Sequence, residues 1–295
     1  MKIMPTPDNP TAVSARKDRT WFITGASTGF GRILVEDVLK SGGNVIATAR
    51  NRSQIADLEQ QFPKTAKALA LDVIDAGQVD SAVTQAFAQF GQVDVLVNNA
   101  GYGLAGAIEE ATEEEFKPVF ETNVFGLIRV TRAFLPYLRK QRSGHILNLS
   151  SASGLIGSPG WGYYNASKFA VEGFSEALAA ELAPLGIHVT VIEPGPFRTD
   201  FLGRSGVEAK ARIADYDATA GKTREYFHTQ PGKQPGDPAR AVQAMIQVVE
   251  SPNPPLHLIL GAIALKRFRE KLEKWNQEIA AWEQVTLGAD FPEQK

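Results

Sequence analysis

Residues 20–31 read TWFITGASTGFG, and this stretch decides the fold. Trp21, Phe22 and Ile23 make a short apolar run rich in strand-forming residues. Gly25, Gly29 and Gly31 follow among small side chains, and a helical pattern then occupies residues 29–40. A strand that turns through small residues into a helix presents free N–H groups and the positive end of the helix dipole. The missing side chains let a pyrophosphate approach the backbone closely. A glycine cluster alone can be no more than a tight turn; the strand before it and the helix after it supply the context the motif requires. The spacing is GxxxGxG, not the GxGxxG of the common dinucleotide fingerprint.

Working outward, residues 44–49, 67–72, 93–98, 144–150 and 187–193 carry further strand signals. Helical patterns at 53–61 and 78–90 fall between them. The strand segments are nearly continuous apolar runs, as required when helices cover both faces of a parallel sheet. The alternation predicts an α/β protein: a Rossmann-type, doubly wound parallel sheet in three α/β/α layers with right-handed crossovers. Thr112 and Glu115 have capping-box spacing, which marks a helix start. Pro118 predicts a break or kink within that helix.

The chain has 295 residues, 43% apolar and 22% charged, enough for a substantial core. A net charge of -2 carries no basic surplus for nucleic acid. Zero cysteines exclude disulfides, thiolate metal sites and cysteine nucleophiles, and fit a reducing compartment. Residues 1–18 carry Pro5, Pro7 and Pro10 but no apolar run of the kind a secretory signal needs, and read as a flexible arm. The apolar stretch at 256–265 includes His257 and is too short to span a bilayer, so a cytoplasmic location is expected. Residues 19–295 read as one domain. Within it, residues 199–238 lose periodicity and are expected to form a substrate lid. Leu265, Phe268, Leu272, Trp275, Ile279 and Trp282 trace one apolar stripe on a terminal helix over 262–285. Packing against the chain's own body is the expected use of that stripe; a subunit contact or a cover for the pocket is the alternative. The four histidines, His145, His188, His228 and His257, show no metal-ligand spacing, and no metal is expected.

Several separated motifs now converge. They are Thr24–Gly31, Asn98-Asn99-Ala100-Gly101, Asn123, Ser151, Tyr164-Asn165-Ala166-Ser167-Lys168 and Pro194-Gly195-Pro196-Phe197-Arg198-Thr199. Over about residues 20–200 the chain resembles the short-chain dehydrogenase/reductase (SDR) family. The resemblance implies a nicotinamide coenzyme held by Gly25, Ser27, Thr28, Gly29, Phe30 and Gly31. Asp72 and Val73 would flank the adenine, and Asn98, Ala100 and Gly101 the adenosine ribose. Pro194, Gly195 and Thr199 would hold the carboxamide. It also implies a catalytic tetrad of Asn123, Ser151, Tyr164 and Lys168. In that tetrad Ser151 orients the substrate oxygen, Lys168 steadies the tyrosinate and ribose, and Asn123 anchors an ordered water.

Two of these points have a physical basis of their own. NAD-preferring enzymes place an acid near the end of the second strand to bind the ribose hydroxyls. Here Ala49 stands there and Arg50 follows, with Arg52 close by. A guanidinium binds a 2′-phosphate that a carboxylate would repel, so NADP(H) is expected, unless both arginines are merely solvated at a helix start. Of the adjacent Tyr163 and Tyr164, only Tyr164 has a cation, Lys168, four residues on along a helix face. A neighbouring ammonium is expected to lower the phenol's pKa from about 10 towards a working acid/base.

The sequence thus predicts an oxidoreductase interconverting a carbonyl and a secondary alcohol, with Tyr164 as general acid/base. The aromatics around the site favour a mostly apolar small-molecule substrate. Ser151, Tyr164, Tyr102, Trp161 and Phe201 are its expected contacts, with Leu155, Leu202, Tyr216, Tyr226 and Phe227 as further liners. An oxidative NADP+-linked hydroxysteroid or alcohol dehydrogenase and a non-catalytic NADP-binding sensor are the alternatives. The resemblance further implies a homodimer or homotetramer joined through helices over 123–140 and 164–185.

Overall fold

The computed structural model describes residues 15–291. The segments that read as apolar runs become strands of one all-parallel sheet: β1 (Thr20–Ile23), β2 (Asn44–Ala49), β3 (Ala66–Ala70), β4 (Val95–Asn98), β6 (Gly144–Leu149), β7 (Ile187–Pro194) and β9 (His257–Leu260). Their order is β3-β2-β1-β4-β6-β7-β9, and β5 (Gly103–Ala105) pairs in parallel with β8 (Gly206–Glu208) as a separate ribbon. The helices are α1 (Gly29–Lys40), α2 (Ala56–Gln61), α3 (Ala76–Phe90), α4 (Glu113–Phe120), α5 (Leu127–Gln141), α6 (Ala152–Leu155), α7 (Gly162–Leu182), α8 (Ala220–Thr229), α9 (Pro238–Glu250) and α10 (Ala262–Leu287).

Strand side chains alternate between two cores, which is why both halves of the period had to be apolar. Trp21 and Ile23 of β1 pack with Leu34, Val38, Val242 and Met245 from α1 and α9. Phe22, between them, points the other way to Val83, Phe134 and Leu178 from α3, α5 and α7. The strand order reverses at β1, which pairs with β2 on one side and β4 on the other. In a doubly wound sheet this switch point opens a crevice beyond the carboxyl ends of the strands, where ligands bind. The expected three-layer architecture is therefore present.

Three expectations change. Residues 1–14 of the expected arm lie outside the described residues, but residues 15–18 are tied down: Ala15 is buried and the Arg16 N–H donates to Glu250 Oε1 at 3.2 Å. The 256–265 stretch contributes an edge strand, β9, paired with β7, before α10 begins. The helix holding Pro118 runs on to Phe120, and the irregularity falls one turn later, as a π turn over Glu121–Gly126. The capping box at its start forms, with Glu115 Oε2 accepting the Thr112 N–H at 3.0 Å. Beyond Lys271 the apolar stripe of α10 is not packed on the body, and only Ala264 in that helix is buried. No helix among the described residues is long and apolar enough to cross a membrane.

Candidate active site

The loop after β1 is set by Thr24. Its hydroxyl accepts the N–H groups of Asn99 and Ala100 at 2.9 and 3.0 Å, clamping the ends of β1 and β4 together. Asn99 completes the clamp by donating to the Thr24 and Gly25 carbonyls at 2.9 and 3.0 Å. Gly25 has φ +67°, and a Cβ there would stand 2.9 Å from Ala100 Cα. A Cβ on Gly31 would stand 2.5 Å from both the Gly25 carbonyl oxygen and Asn99 Nδ2. The two glycines therefore let helix, loop and neighbouring strand meet at backbone distance. No side chain caps α1, so its first-turn N–H groups stay available where Thr28, Gly29 and Phe30 line the cleft.

The cleft encloses about 730 Å³ above the carboxyl ends of the strands. Of the residues expected at the coenzyme, Thr28, Gly29, Phe30, Gly101, Tyr164, Lys168, Pro194, Gly195 and Thr199 line it. Gly25, Ser27, Gly31 and Ala100 lie in or against the loop that forms its wall. Asp72 and Val73 sit in the loop after β3; there Asp72 Oδ1 accepts the Ile74 N–H at 3.2 Å, and Val73 packs buried. Asn98 is turned away: its amide donates to Thr131 Oγ1 and Asn148 Oδ1, both at 2.9 Å, inside the sheet–helix layer. Asn99, one residue on, is the asparagine that reaches the cleft.

The two arginines separate. Arg52 is engaged elsewhere, its Nε donating to the Ala68 carbonyl at 2.9 Å and its Nη2 paired with Glu59. Arg50 is exposed at the end of β2, and no acid among the described residues pairs with it. Burial pushes the phenol of Tyr102, a cleft residue, upward, and the Arg50 charge nearby acts against that shift.

The expected tetrad comes together where α7 meets β4 and β6. Ser151 caps α6 by accepting the Ser153 N–H at 3.1 Å, which fixes its hydroxyl at the mouth of β6. Tyr164 is buried at the base of the cleft, its ring centroid 5.3 Å from Phe201 and 5.6 Å from Trp161. Tyr163, by contrast, stacks on Phe116 at 4.3 Å and donates to the Ile108 carbonyl, away from the cleft. Lys168 is buried and donates to the Leu149 carbonyl at 2.6 Å. Asn123 sits in the π turn, a local register shift often found at functional sites. Its amide brackets Tyr102, accepting the Tyr102 N–H at 3.0 Å and donating to its carbonyl at 2.8 Å and to Ser167 Oγ at 3.1 Å. Asn123 thus anchors the backbone leading from β4 into the cleft.

The electrostatics correct the expectation for Tyr164. Burial pushes its phenol up to about 12, against the Ser151 hydroxyl, which acts downward. Burial also pushes the Lys168 ammonium down to about 8, against the Glu172 charge, which acts upward. Lys168 is committed to Leu149 and lies 5.8 Å from the centre of the Tyr164 ring, not on the phenol oxygen. Desolvation of the phenolate is therefore the dominant influence at Tyr164 in this state.

The region expected as a lid is built from short pieces. A helical turn at Asp200–Leu202, strand β8, a turn at Ala214–Tyr216 and α8 fold back over β5. An ion pair to the buried Glu110 pins it, with Arg224 Nη2 2.8 Å from Glu110 Oε2. Phe201, Leu202, Tyr226, Tyr102 and Trp161 line the cleft as expected. Tyr216 instead donates to Glu109 on the surface at 2.5 Å, Phe227 packs buried beneath Trp161, and Leu155 does not line the cleft.

A further group was invisible in the sequence. Register between β7 and β9 brings His257 to Glu193 and Glu172, with His257 Nδ1 2.7 Å from Glu193 Oε1 and 3.6 Å from Glu172 Oε2. Both carboxyls are buried, and burial raises both well above the usual carboxylate range. Glu172 lies one helical turn beyond Lys168, so Tyr164, Lys168 and Glu172 share one face of α7.

The known proteins this chain resembles agree with this geometry. The sequence model of the short chain dehydrogenase family matches residues 19–209. The chain belongs to that family. It is 38% identical over 272 residues to oxidoreductase BOA17 of Botryotinia fuckeliana, covering 92% of this chain and 99% of that one. It is 37% identical to the 3-ketodihydrosphingosine reductase of Bacteroides thetaiotaomicron, covering 86% and 91%. A short-chain dehydrogenase structure from Streptomyces avermitilis superposes with a TM-score of 0.87 at 40% identity, covering 92% and 99%. A serine dehydrogenase solved with NADP+ superposes with a TM-score of 0.71 at 27% identity, covering 82% and 94%. The protein is accordingly an SDR oxidoreductase whose fold takes a nicotinamide dinucleotide.

Proposed function

We propose that this protein is an NADP(H)-dependent oxidoreductase that interconverts a carbonyl and a secondary alcohol on a mostly apolar substrate, with Tyr164 as general acid/base. The observation that carries the reading is the floor of the cleft. There the hydroxyls of Ser151 and Tyr164 face a space walled by Trp161, Phe201, Leu202 and Tyr226. Two hydroxyls can bind one substrate oxygen, while the aromatic wall suits an apolar body.

The residues fit the coenzyme. The glycine loop admits a pyrophosphate at the start of α1, and Arg50, paired with no acid among the described residues, offers a guanidinium for a 2′-phosphate. When bound, NADPH supplies the hydride. Ser151 and Tyr164 donate hydrogen bonds to the substrate oxygen, and Tyr164 gives up its proton as charge develops there. Lys168 is held on the Leu149 carbonyl 5.8 Å from the centre of the Tyr164 ring; turned from that carbonyl towards the phenol, its ammonium would lower the cost of the tyrosinate. Asn123 holds the Tyr102 backbone and so keeps the β4 loop in register with α7. Exposed Phe125 and Phe169, on the π turn and α7, support association of copies through these helices.

The test is NADPH oxidation against ketones, aldehydes and β-ketoacyl thioesters, beside NADH controls. Turnover is expected with apolar ketones and at least tenfold higher kcat/KM for NADPH than for NADH. No turnover with any carbonyl or its alcohol would refute the activity, and equal kcat/KM for the two coenzymes would refute the coenzyme choice.

A further inference from the structure

The C-terminal helix divides into two parts. Its first turns touch the body: Ala264 is buried, Arg267 Nη2 donates to Ser158 Oγ at 2.9 Å, and Lys271 reaches the Leu155 carbonyl. Beyond Lys271 every residue of the helix is exposed. Residues 272–287 project for about 24 Å at the helical rise of about 1.5 Å per residue.

The projecting part is apolar on one side. Trp275, Ile279 and Trp282 are 54%, 58% and 65% exposed, and Leu272 is exposed beside them. A helix that ran free in water would carry polar residues all round. The stripe also runs on from the body: the Lys271 ammonium lies 4.9 Å from the Phe169 ring and 5.2 Å from the Trp275 ring, joining α7 to α10. Aromatic side chains bury ~150–250 Å² each, so the two half-exposed tryptophans with Leu272 and Ile279 beside them offer roughly 400 Å². That reaches the ~400 Å² of a tolerable apolar patch and is about half of the ~800 Å² per partner of a stable interface.

The charge pattern says what fits. Residues 266–274 carry Lys266, Arg267, Arg269, Lys271 and Lys274 against Glu270 and Glu273, while residues 275–287 carry Glu278 and Glu283 and no basic residue. A lipid surface would be served by basic residues along the whole polar face. A basic half followed by an acidic half instead complements its own reverse. The apolar positions keep the 3-4 spacing of a coiled-coil seam, with Leu265, Leu272 and Ile279 in one row and Phe268, Trp275 and Trp282 in the other. In antiparallel alignment the rows interleave, setting Leu272 against Trp282 of the second copy and Trp275 against Ile279 of the second copy. The same alignment sets Arg269 beside Glu283 of the second copy. Parallel alignment stacks like charge on like.

We infer that the projecting part of α10 is a self-association surface whose occupant is the same helix of a second copy, antiparallel to it, forming an isologous contact.

The experiment is sedimentation velocity on the full chain beside the double variant Trp275→Glu/Ile279→Glu, with far-UV circular dichroism and thermal midpoint as checks of folding. These positions are exposed, so the variant is expected to fold and to fall to half the wild-type mass. A monomeric wild type overturns the inference, including one that binds anionic vesicles as a monomer. So does a folded variant of wild-type mass. Should the double variant misfold, the single substitution Trp282→Glu decides by the same mass comparison. Orientation is read by cross-linking, since the chain has no cysteine of its own. Leu272→Cys mixed with Trp282→Cys is expected to form the mixed disulfide, and Leu272→Cys alone to form none. The reverse result overturns the antiparallel arrangement.

Discussion

The two sides of the cleft are built differently. The coenzyme side is closed by backbone: the Thr24 hydroxyl clamps two loops, and two glycines let helix and strand meet where no Cβ fits. The substrate side is closed by side chains from distant parts of the chain, with Arg224 reaching Glu110 and β8 lying along β5 across about a hundred residues. Backbone contact tolerates almost no substitution, whereas side-chain packing tolerates many of similar size. The difference teaches why one chain can hold its coenzyme by a short local motif while its substrate preference rests on a lid.

Four measurements would sharpen or break that contrast, beginning with the residue at the junction. Tyr164→Phe should lower kcat by about 10³-fold, within the range for a lost general acid, and leave coenzyme binding within about twofold. Near-normal turnover would remove Tyr164 from the chemistry. On the coenzyme side, Gly31→Val would drive a side chain into the Gly25 carbonyl, and NADPH affinity by fluorescence titration should fall at least ~30-fold, about 2 kcal/mol. Unchanged affinity would mean the loop is not a cradle. Also on that side, Arg50→Glu should raise the NADPH KM about tenfold and leave NADH untouched, a loss of one charge-assisted contact. Equal effects on both coenzymes would count against a phosphate contact. On the substrate side, Arg224→Ala leaves buried Glu110 without its cation. Stability measured by urea unfolding should drop on the order of 3 kcal/mol, with substrate KM rising and coenzyme KM unchanged. A change in coenzyme KM of the same size would erase the distinction between the two sides.

Lying behind both sides, the Glu172–Glu193 pair ties the stability of the fold to pH. Burial raises both carboxyls from 4.5 to about 7, so the folded chain holds protons that the unfolded chain releases. The contribution to stability is full below about pH 4.5 and is lost as pH rises through about 7. The thermal midpoint should therefore decline across that window, and Glu172→Gln should flatten the decline. A midpoint rising through the same window would contradict the shared burial.

The coenzyme side was legible in the sequence because its determinants are neighbours. Strand, small residues and helix start lie within residues 20–31, and the bounds read for β2 and α1 match those formed. Tyr164 could be told from Tyr163 by helix spacing alone, and the two do part, one to the cleft and one to Phe116. The direction of the Tyr164 shift could not be read, because it depends on burial and on Lys168 turning to Leu149. Spacing likewise gave no sign that Arg52 answers Glu59 or that Asn98 faces inward. Strand β9 is four residues long and begins at an exposed histidine, too little to carry a period. The stripe on α10 was plain in the sequence, but periodicity states that a face is apolar and not what it meets.

The π turn at Glu121–Gly126 can be viewed as a vernier. It stores one residue beyond the α-helical count between α4 and α5, and each residue of an α-helix turns the chain by about 100°. Removing Glu121 or Thr122 from it would restore regular helix and let the protein fold, yet rotate Asn123 off the Tyr102 backbone. A single-residue deletion there is thus expected to cost alignment rather than structure: a stable protein with a slack cleft. The length of that turn, not only the identity of its asparagine, is part of the specification of the site.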